Sequence, residues 1–332
     1  MNMLSTVVAA LYSGSDVRSH IRIARASQIV SCLRRNTSVG SEITWFEVIE
    51  ALRKDNFPRE AQFLSDDANF DLAHQLVESG KIITLGCESY PKMLVTSMGV
   101  NAPPILWISN PAMQKTPPWV NEDGTPKICV SGVGCRVPLS IGMAIAKEVG
   151  IWTAKNQYLA VSGGAQGCDT TFGNSAFGAG GKVVHILPYG LSNMPLNLRG
   201  NAVSVCPPTE KFSSGRAIER NNLIYSFGHM TVVCSARYRQ GGSWLGASNA
   251  VKDHKPVVFA DWTSTGAVAE MESHTQGTYG LAQRALANLG CRAMKLDIQT
   301  FRADLPAALD ASLQWSLDMV AGNINSGLFE AS

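Results

Sequence analysis

The sequence predicts an α/β fold: a doubly wound, mostly parallel sheet with an N-terminal helical domain before it and a small C-terminal helical region after it. Three observations predict this. From Lys127 the chain repeats strand, glycine-rich turn and helix, the alternation that gives a parallel sheet covered on both faces. Residues 1–80 instead carry apolar residues three and four apart, the helical period. The segment 266–332 returns to helical spacing, with room for one short strand.

Taken in order, the opening stretch MNMLSTVVAALYSGSD reads as a buried or amphipathic helix. No Lys or Arg precedes Arg18, so the basic start of a secretory signal is missing. ASQIVSCLRRN, WFEVIEALRKDN and FDLAHQLVESG read as further helices, the last ending on a glycine suited to a helix C-terminus. KIITLGCESY and APPILWISN give two strands. The Pro-, Asn- and Gly-rich stretch from Pro111 to Lys127 reads as a surface connection. The expected division is therefore 1–80, 81–265 with its core from 127, and 266–332.

Within the core, KICVSGVG, QYLAVSGG, KVVHILPYG, HMTVVCSA and KPVVFADW read as strands. LSIGMAIAKEVGIWTAKN, DTTFGNSAFGAGG, AIERNNLIYSFG and SWLGASNAVKDH read as the helices between them. Right-handed crossovers then fix most of the topology. Ligands of such sheets bind at the carboxyl ends of the strands, where these glycine turns fall.

Composition narrows the class. With 45% hydrophobic and 16% charged residues the chain is an ordinary globular one, and a net charge of +2 points to no polyanion unless basic groups gather locally. The eight cysteines are scattered without a CxxC pair, and the six histidines lack ligand spacing. That excludes a disulfide framework and a zinc site, and fits free thiols in a reducing cytoplasm. No run of about 20 apolar residues is present, so no membrane span is expected. No cofactor is called for.

Three strand-end loops are suited to an anion, because glycines bring backbone N–H groups close and the next helix adds its dipole. The first holds Gly132, Gly134, Cys135 and Arg136. The second holds Ser162, Gly163, Gly164, Gly167 and Asp169, with Asp169 alternatively a helix cap. The third holds Gly241, Gly242 and Ser243 after Arg237 and Arg239. Between them SSGRAIERNNLIYS places Arg216 and Arg220 four apart, on one helix face, with Asn221 and Asn222 near the same helix start. That face either meets phosphate and sugar or is simply solvated. His185, inside a strand pattern, reads as a core or rim histidine. No nucleophile, base and orienter stand together, so the pattern is one of binding without catalysis.

The stretches ICVSGVGCRVPLSIGMAIAKEV, YLAVSGGAQGCDTTFGNSAFGAGGKVVHILPYGL and AIERNNLIYSFGHMTVVCSARYRQGGSWLGASNAVKDHKPVVF, in that order and spacing, resemble the DNA-processing protein A family, DprA/Smf. The resemblance covers about Lys81 to Asp261, with Tyr90-Pro91 and Pro103-Pro104 in the approach segment. Gly134-Cys135-Arg136 matches the family's Gly-Ser-Arg loop. Ser162, Gly163, Gly167 and Asp169 match its second loop, and Arg220-Asn221 its Arg-Asn pair. The resemblance implies an extended Rossmann-like fold, single-stranded DNA binding without sequence readout, a homodimer, and loading of a RecA-type recombinase in natural transformation.

This chain departs from the family at Cys135, where Ser is usual, and at Gln166, where Arg is common. RQGGSWLGA replaces an Arg-Ser-Gly stretch, and the tail does not read as a winged helix. These departures mark a divergent member and admit a role in recombination or in phage or mobile-element defence. Two rivals remain. One is a nucleotide-sensing module that regulates a partner protein. The other is a phosphoribohydrolase of related fold, whose Glu after Pro-Gly-Gly-x-Gly-Thr is missing behind Gly241-Gly242.

Overall fold

The computed structural model describes residues 3–13, 20–36, 44–262 and 276–325. Five helices open it: α1 (Met3–Tyr12), α2 (His20–Asn36), α3 (Trp45–Lys54), α4 (Pro58–Leu64) and α5 (Asp67–Glu78). Local chemistry sets their ends. The Thr44 hydroxyl accepts from the Glu47 N–H while the Glu47 carboxylate accepts from the Thr44 N–H, a reciprocal cap on α3. Pro58 starts α4, where its missing N–H costs nothing. Gly80, at φ +69°, turns the chain out of α5.

One nine-stranded sheet follows. Its strands are β1 (Ile82–Thr84), β2 (Ile105–Ile108), β3 (Cys129–Gly134), β4 (Leu159–Ser162), β5 (Val183–Leu187), β6 (Asn201–Ser204), β7 (Met230–Ser235), β8 (Val257–Asp261) and β9 (Arg292–Lys295). The helices among them are α6 (Lys92–Met98), α7 (Ser140–Lys155), α8 (Cys168–Gly178), α9 (Ser214–Phe227), α10 (Gly241–Lys252), α11 (Gln276–Asn288) and α12 (Phe301–Asn325).

The spatial order is β1-β2-β6-β5-β4-β3-β7-β8-β9. Strands β6 to β9 in that order are all parallel, while β2 runs antiparallel to both β1 and β6. The fold is the doubly wound, mostly parallel sheet that the alternation predicts, and it agrees with the Rossmann-like fold that the resemblance implies.

Strand alternation divides the apolar residues between two cores. On one face Leu159, Val161, Val184, Ile186 and Phe259 pack with the N-terminal helices and with α9, α10 and α11. On the other face Val130, Ala160, Val183, Val232 and Val258 pack with α7, α8 and α12. The short strand expected in the tail is β9, and it extends the sheet beside β8.

The sequence reading missed β6, α4 and α6. Strand β6 is four residues long between Pro/Asn-rich segments, and the two helices are seven residues each, too short to show a period.

Strands β3 to β6 step outward in one direction and β7 to β9 in the other. The order therefore reverses between β3 and β7, and the loops leaving these two strands part from one another. Such a switch point leaves a crevice at the carboxyl edge.

Candidate nucleic-acid interface

The crevice is a cleft of about 790 Å³. The loop after β3 supplies Gly134, Cys135, Arg136 and Val137. The loop after β4 supplies Ala165, and the first turn of α8 supplies Asp169. The segment after β7 supplies Arg237, Arg239, Gln240 and the first turn of α10, and one side of α9 closes the space.

Its charge is mostly positive. Arg136 is exposed and, among the described residues, has no acidic partner. Arg239 sits at φ +54° in the tight turn closed by Gln240 N–H to the Arg237 carbonyl, with its guanidinium 5.1 Å above the Tyr238 ring. Tyr238 in turn meets Trp244 edge-on at 5.1 Å. Arg237 donates to the Tyr279 hydroxyl at 3.0 Å and to the Val137 carbonyl at 3.3 Å, so α11 props this arginine at the cleft wall. Helix α10 begins at Gly241-Gly242-Ser243 without a side-chain cap, leaving N–H groups of its first turn open to an anion.

Beside the cations stands apolar surface. Phe212 is 51% exposed, Ile218 47%, Leu245 40% and Val137 66%, and all four line this cleft. Exposed apolar groups gathered in one concavity mark a binding surface.

The remaining residues hold the loops in place. Arg220 is only 5% exposed. Its Nη1 donates to the carbonyls of Gly163 and Ile186, the latter at 2.6 Å. A Cβ on Gly163 would lie 2.2 Å from that Nη1 and 2.4 Å from Asp169 Oδ2, so only glycine fits between the two charges. The Asp169 carboxylate accepts from the Gly134 N–H at 3.2 Å. Burial raises the Asp169 carboxyl to about 6, against the attraction of Arg220.

Several expected positions lie outside the cleft. Gly132, Ser162, Gly163, Gly164, Gly167 and Arg216 do not line the cleft. Gly132 lies within β3, where the Phe172 ring takes the place of a side chain. The Ser162 hydroxyl is fully buried and donates to the Asp169 carbonyl at 3.0 Å. Asp169 is not the cap of α8. Gly167 takes that place at φ +89°, against the Cys135 and Arg136 carbonyls. Arg216 is turned away by its ion pair with Glu210 and its bond to the Lys211 carbonyl.

Gly134, Cys135, Arg136, Asp169, Arg220 and Asn221 are brought together, joined by Arg237, Arg239, Gly241, Gly242 and Ser243. The Asn221 amide donates to the Gly242 carbonyl at 3.2 Å and ties α9 to α10. His185 is a core residue bonded to the Arg199 carbonyl at 2.9 Å, and burial lowers its pKa. Sequence reasoning missed Tyr279, Phe212, Ile218 and Leu245, whose only signal is an aromatic or aliphatic residue among polar neighbours. Among the described residues no acidic, Cys and His group could hold a metal ion, and no helix is long and apolar enough to cross a membrane.

A model of the family described as DNA recombination-mediator protein A matches residues 81–296. The chain belongs to this family. Among solved structures, DNA processing protein A (DprA) from Streptococcus pneumoniae is similar over 89% of this chain and 95% of its own, at 19% identity and a TM-score of 0.58. That likeness shows the fold. DNA processing protein A from Helicobacter pylori, described for its single-stranded DNA binding mode, matches over 68% of this chain and 95% of its own, at 18% identity and a TM-score of 0.49. A molybdenum cofactor binding protein from Rippkaea orientalis matches over 57% of this chain and 96% of its own, at 15% identity and a TM-score of 0.40. No curated protein matches the sequence.

Proposed function

We propose that this chain binds single-stranded DNA in the switch-point cleft and acts by binding alone. The observation that carries the reading is the pairing of arginines that have no acidic partner among the described residues with exposed apolar side chains in one concavity. Phosphates would lie on Arg136, Arg239, Arg237 and the first turn of α10. Bases would rest on Phe212, Ile218 and Leu245. Unpaired bases present their faces to such a surface, whereas a duplex hides them.

Membership of a recombination-mediator family supports the same reading. On it, the chain works as a homodimer that hands its strand to a RecA-type recombinase. Natural transformation, or defence against phage and mobile elements, is the setting. None of the eight cysteines is in a disulfide, which fits a cytoplasmic site of action.

Fluorescence anisotropy of a labelled oligothymidine at two salt concentrations, beside a duplex control, tests the reading. Binding that prefers the single strand and weakens with salt is expected, because phosphate contacts release counterions. Absence of binding at low salt, with a nucleotide raising the melting temperature, would replace it by the nucleotide-sensing alternative. Release of adenine from AMP would replace it by an enzyme.

A further inference from the structure

The cleft brings together two cysteines. Cys135 leaves β3 and is partly exposed to the cleft, and Cys168 opens α8 directly behind it. The Cys168 N–H points at the Cys135 carbonyl, 3.4 Å away. A Cβ built on Gly134 would lie 2.4 Å from the Cys168 sulfur, so that sulfur rests against the residue next to Cys135.

The groups around Cys135 suit a thiolate. Ser235 Oγ is 3.4 Å from its sulfur and Tyr279 Oη 3.9 Å, with the Arg237 guanidinium bonded to that same tyrosine. The Tyr279 proton is committed to the Val137 carbonyl at 2.6 Å. The Cys135 thiol donates to the Ser235 hydroxyl, which turns to donate once that proton has left.

We propose that Cys135 and Cys168 form a hydroperoxide-reactive dithiol that closes to a disulfide beneath the cleft. The Cys135 thiolate attacks one peroxide oxygen. An S–O bond forms, the O–O bond breaks, and an alcohol or water leaves with a proton. Cys135 is then a sulfenic acid. The Cys168 sulfur attacks it, the S–S bond forms, the S–O bond breaks, and water leaves with the Cys168 proton. Two thiols lose two electrons and two protons, and the peroxide gains them.

Reactivity is confined to this pair. The hydrogen bond from Cys168, with help from Ser235, Tyr279 and Arg237, lowers Cys135 to about 6 against its burial. Its bond to Cys135 and its burial raise the Cys168 thiol, which leaves Cys135 as the first of the two to meet peroxide. Burial pushes Cys129 and Cys291 up to about 12, and neither lines the cleft.

The test uses the full chain, purified reduced and treated with a few equivalents of hydrogen peroxide at neutral pH. Free thiols are then alkylated and the chain is digested without reductant for mass spectrometry. A linked Cys135–Cys168 peptide, lost on adding dithiothreitol, is expected, with the other cysteines alkylated. In Cys168→Ser, a dimedone adduct at Cys135 is expected, and in Cys135→Ser neither product. Full alkylation of both cysteines in the unmutated chain after peroxide would overturn the proposal, as would linkage of Cys135 to a different cysteine. The unmutated chain decides the matter even if a variant misfolds. No nucleic acid enters the assay, so its outcome is separate from the DNA-binding reading.

Discussion

Replacing Arg220 by methionine keeps the bulk of the side chain and removes the guanidinium. The two carbonyls it serves, of Gly163 and Ile186, then lose a buried donor, at about 1–3 kcal/mol each. Relief of the buried charge offsets part of this. A net loss of about 4 kcal/mol follows, the usual range for breaking a buried charged network from one side. Unfolding entropy of about 2.1 cal/mol/K per residue over 332 residues gives about 0.7 kcal/mol/K, so the melting temperature should fall by roughly 6 °C.

The loss should also grow with pH. Asp169 titrates at about 6 in the folded chain against an ordinary 3.8. A carboxyl raised in this way contributes most to stability below about pH 4, and that contribution is lost by about 3 kcal/mol as pH rises to 6. Without Arg220, which holds the carboxyl down, the folded value rises further and the loss continues above pH 6. The deficit should therefore be larger at pH 8 than at pH 5. Thermal melts followed by circular dichroism at both values read this out, with oligothymidine affinity measured below the melt. An unchanged melt with a tenfold loss of affinity would refute the reasoning and make Arg220 a phosphate contact.

Three further outcomes are expected. Arg136→Ala should leave the melt unchanged, weaken oligothymidine binding and reduce the salt slope by about one, measured by anisotropy across a salt series. Phe212→Ala should weaken the same binding by about 1–3 kcal/mol with an unchanged slope, since stacking releases no counterions. Gly167→Ala places a Cβ 2.5 Å from the Arg136 carbonyl oxygen at a φ of +89°, so a destabilisation of about 2 kcal/mol or more is expected in a urea titration.

The central strands were legible because each is a continuous apolar run between turn residues, the mark of strands buried on both faces. Strand β6 was not, since four residues of which only Ala202 and Val203 are apolar and buried carry no pattern. The three loops were legible from their glycines, and the structure brings parts of all three to one cleft. What each residue does there was less legible. Arg216 and Arg220 share a helix face by spacing, yet Glu210 captures one and the strand-end carbonyls bury the other. Asp169 has the right type and place for a cap, but the close approach of the Cys135 and Arg136 carbonyls demands glycine at the cap position itself. Tyr279 lies 42 residues from Arg237, and no local spacing announces their contact.

The register between β3 and β7 has a consequence for how the chain becomes competent. Gly134 pairs with Ser235, the Cys135 N–H donates to the Ser235 carbonyl at 3.0 Å, and the His229 ring accepts from the Cys129 N–H at 3.1 Å, each across about a hundred residues. Strands β3 to β6 can assemble on their own neighbours, but the second wall of the cleft arrives only when β7 docks. That closure is the long-range, slow step of a parallel sheet. During synthesis, a chain that ends before residue 230 holds the β3 and β4 loops and has no cleft between them. Capture of a strand is thereby deferred until the far half of the sheet has been made.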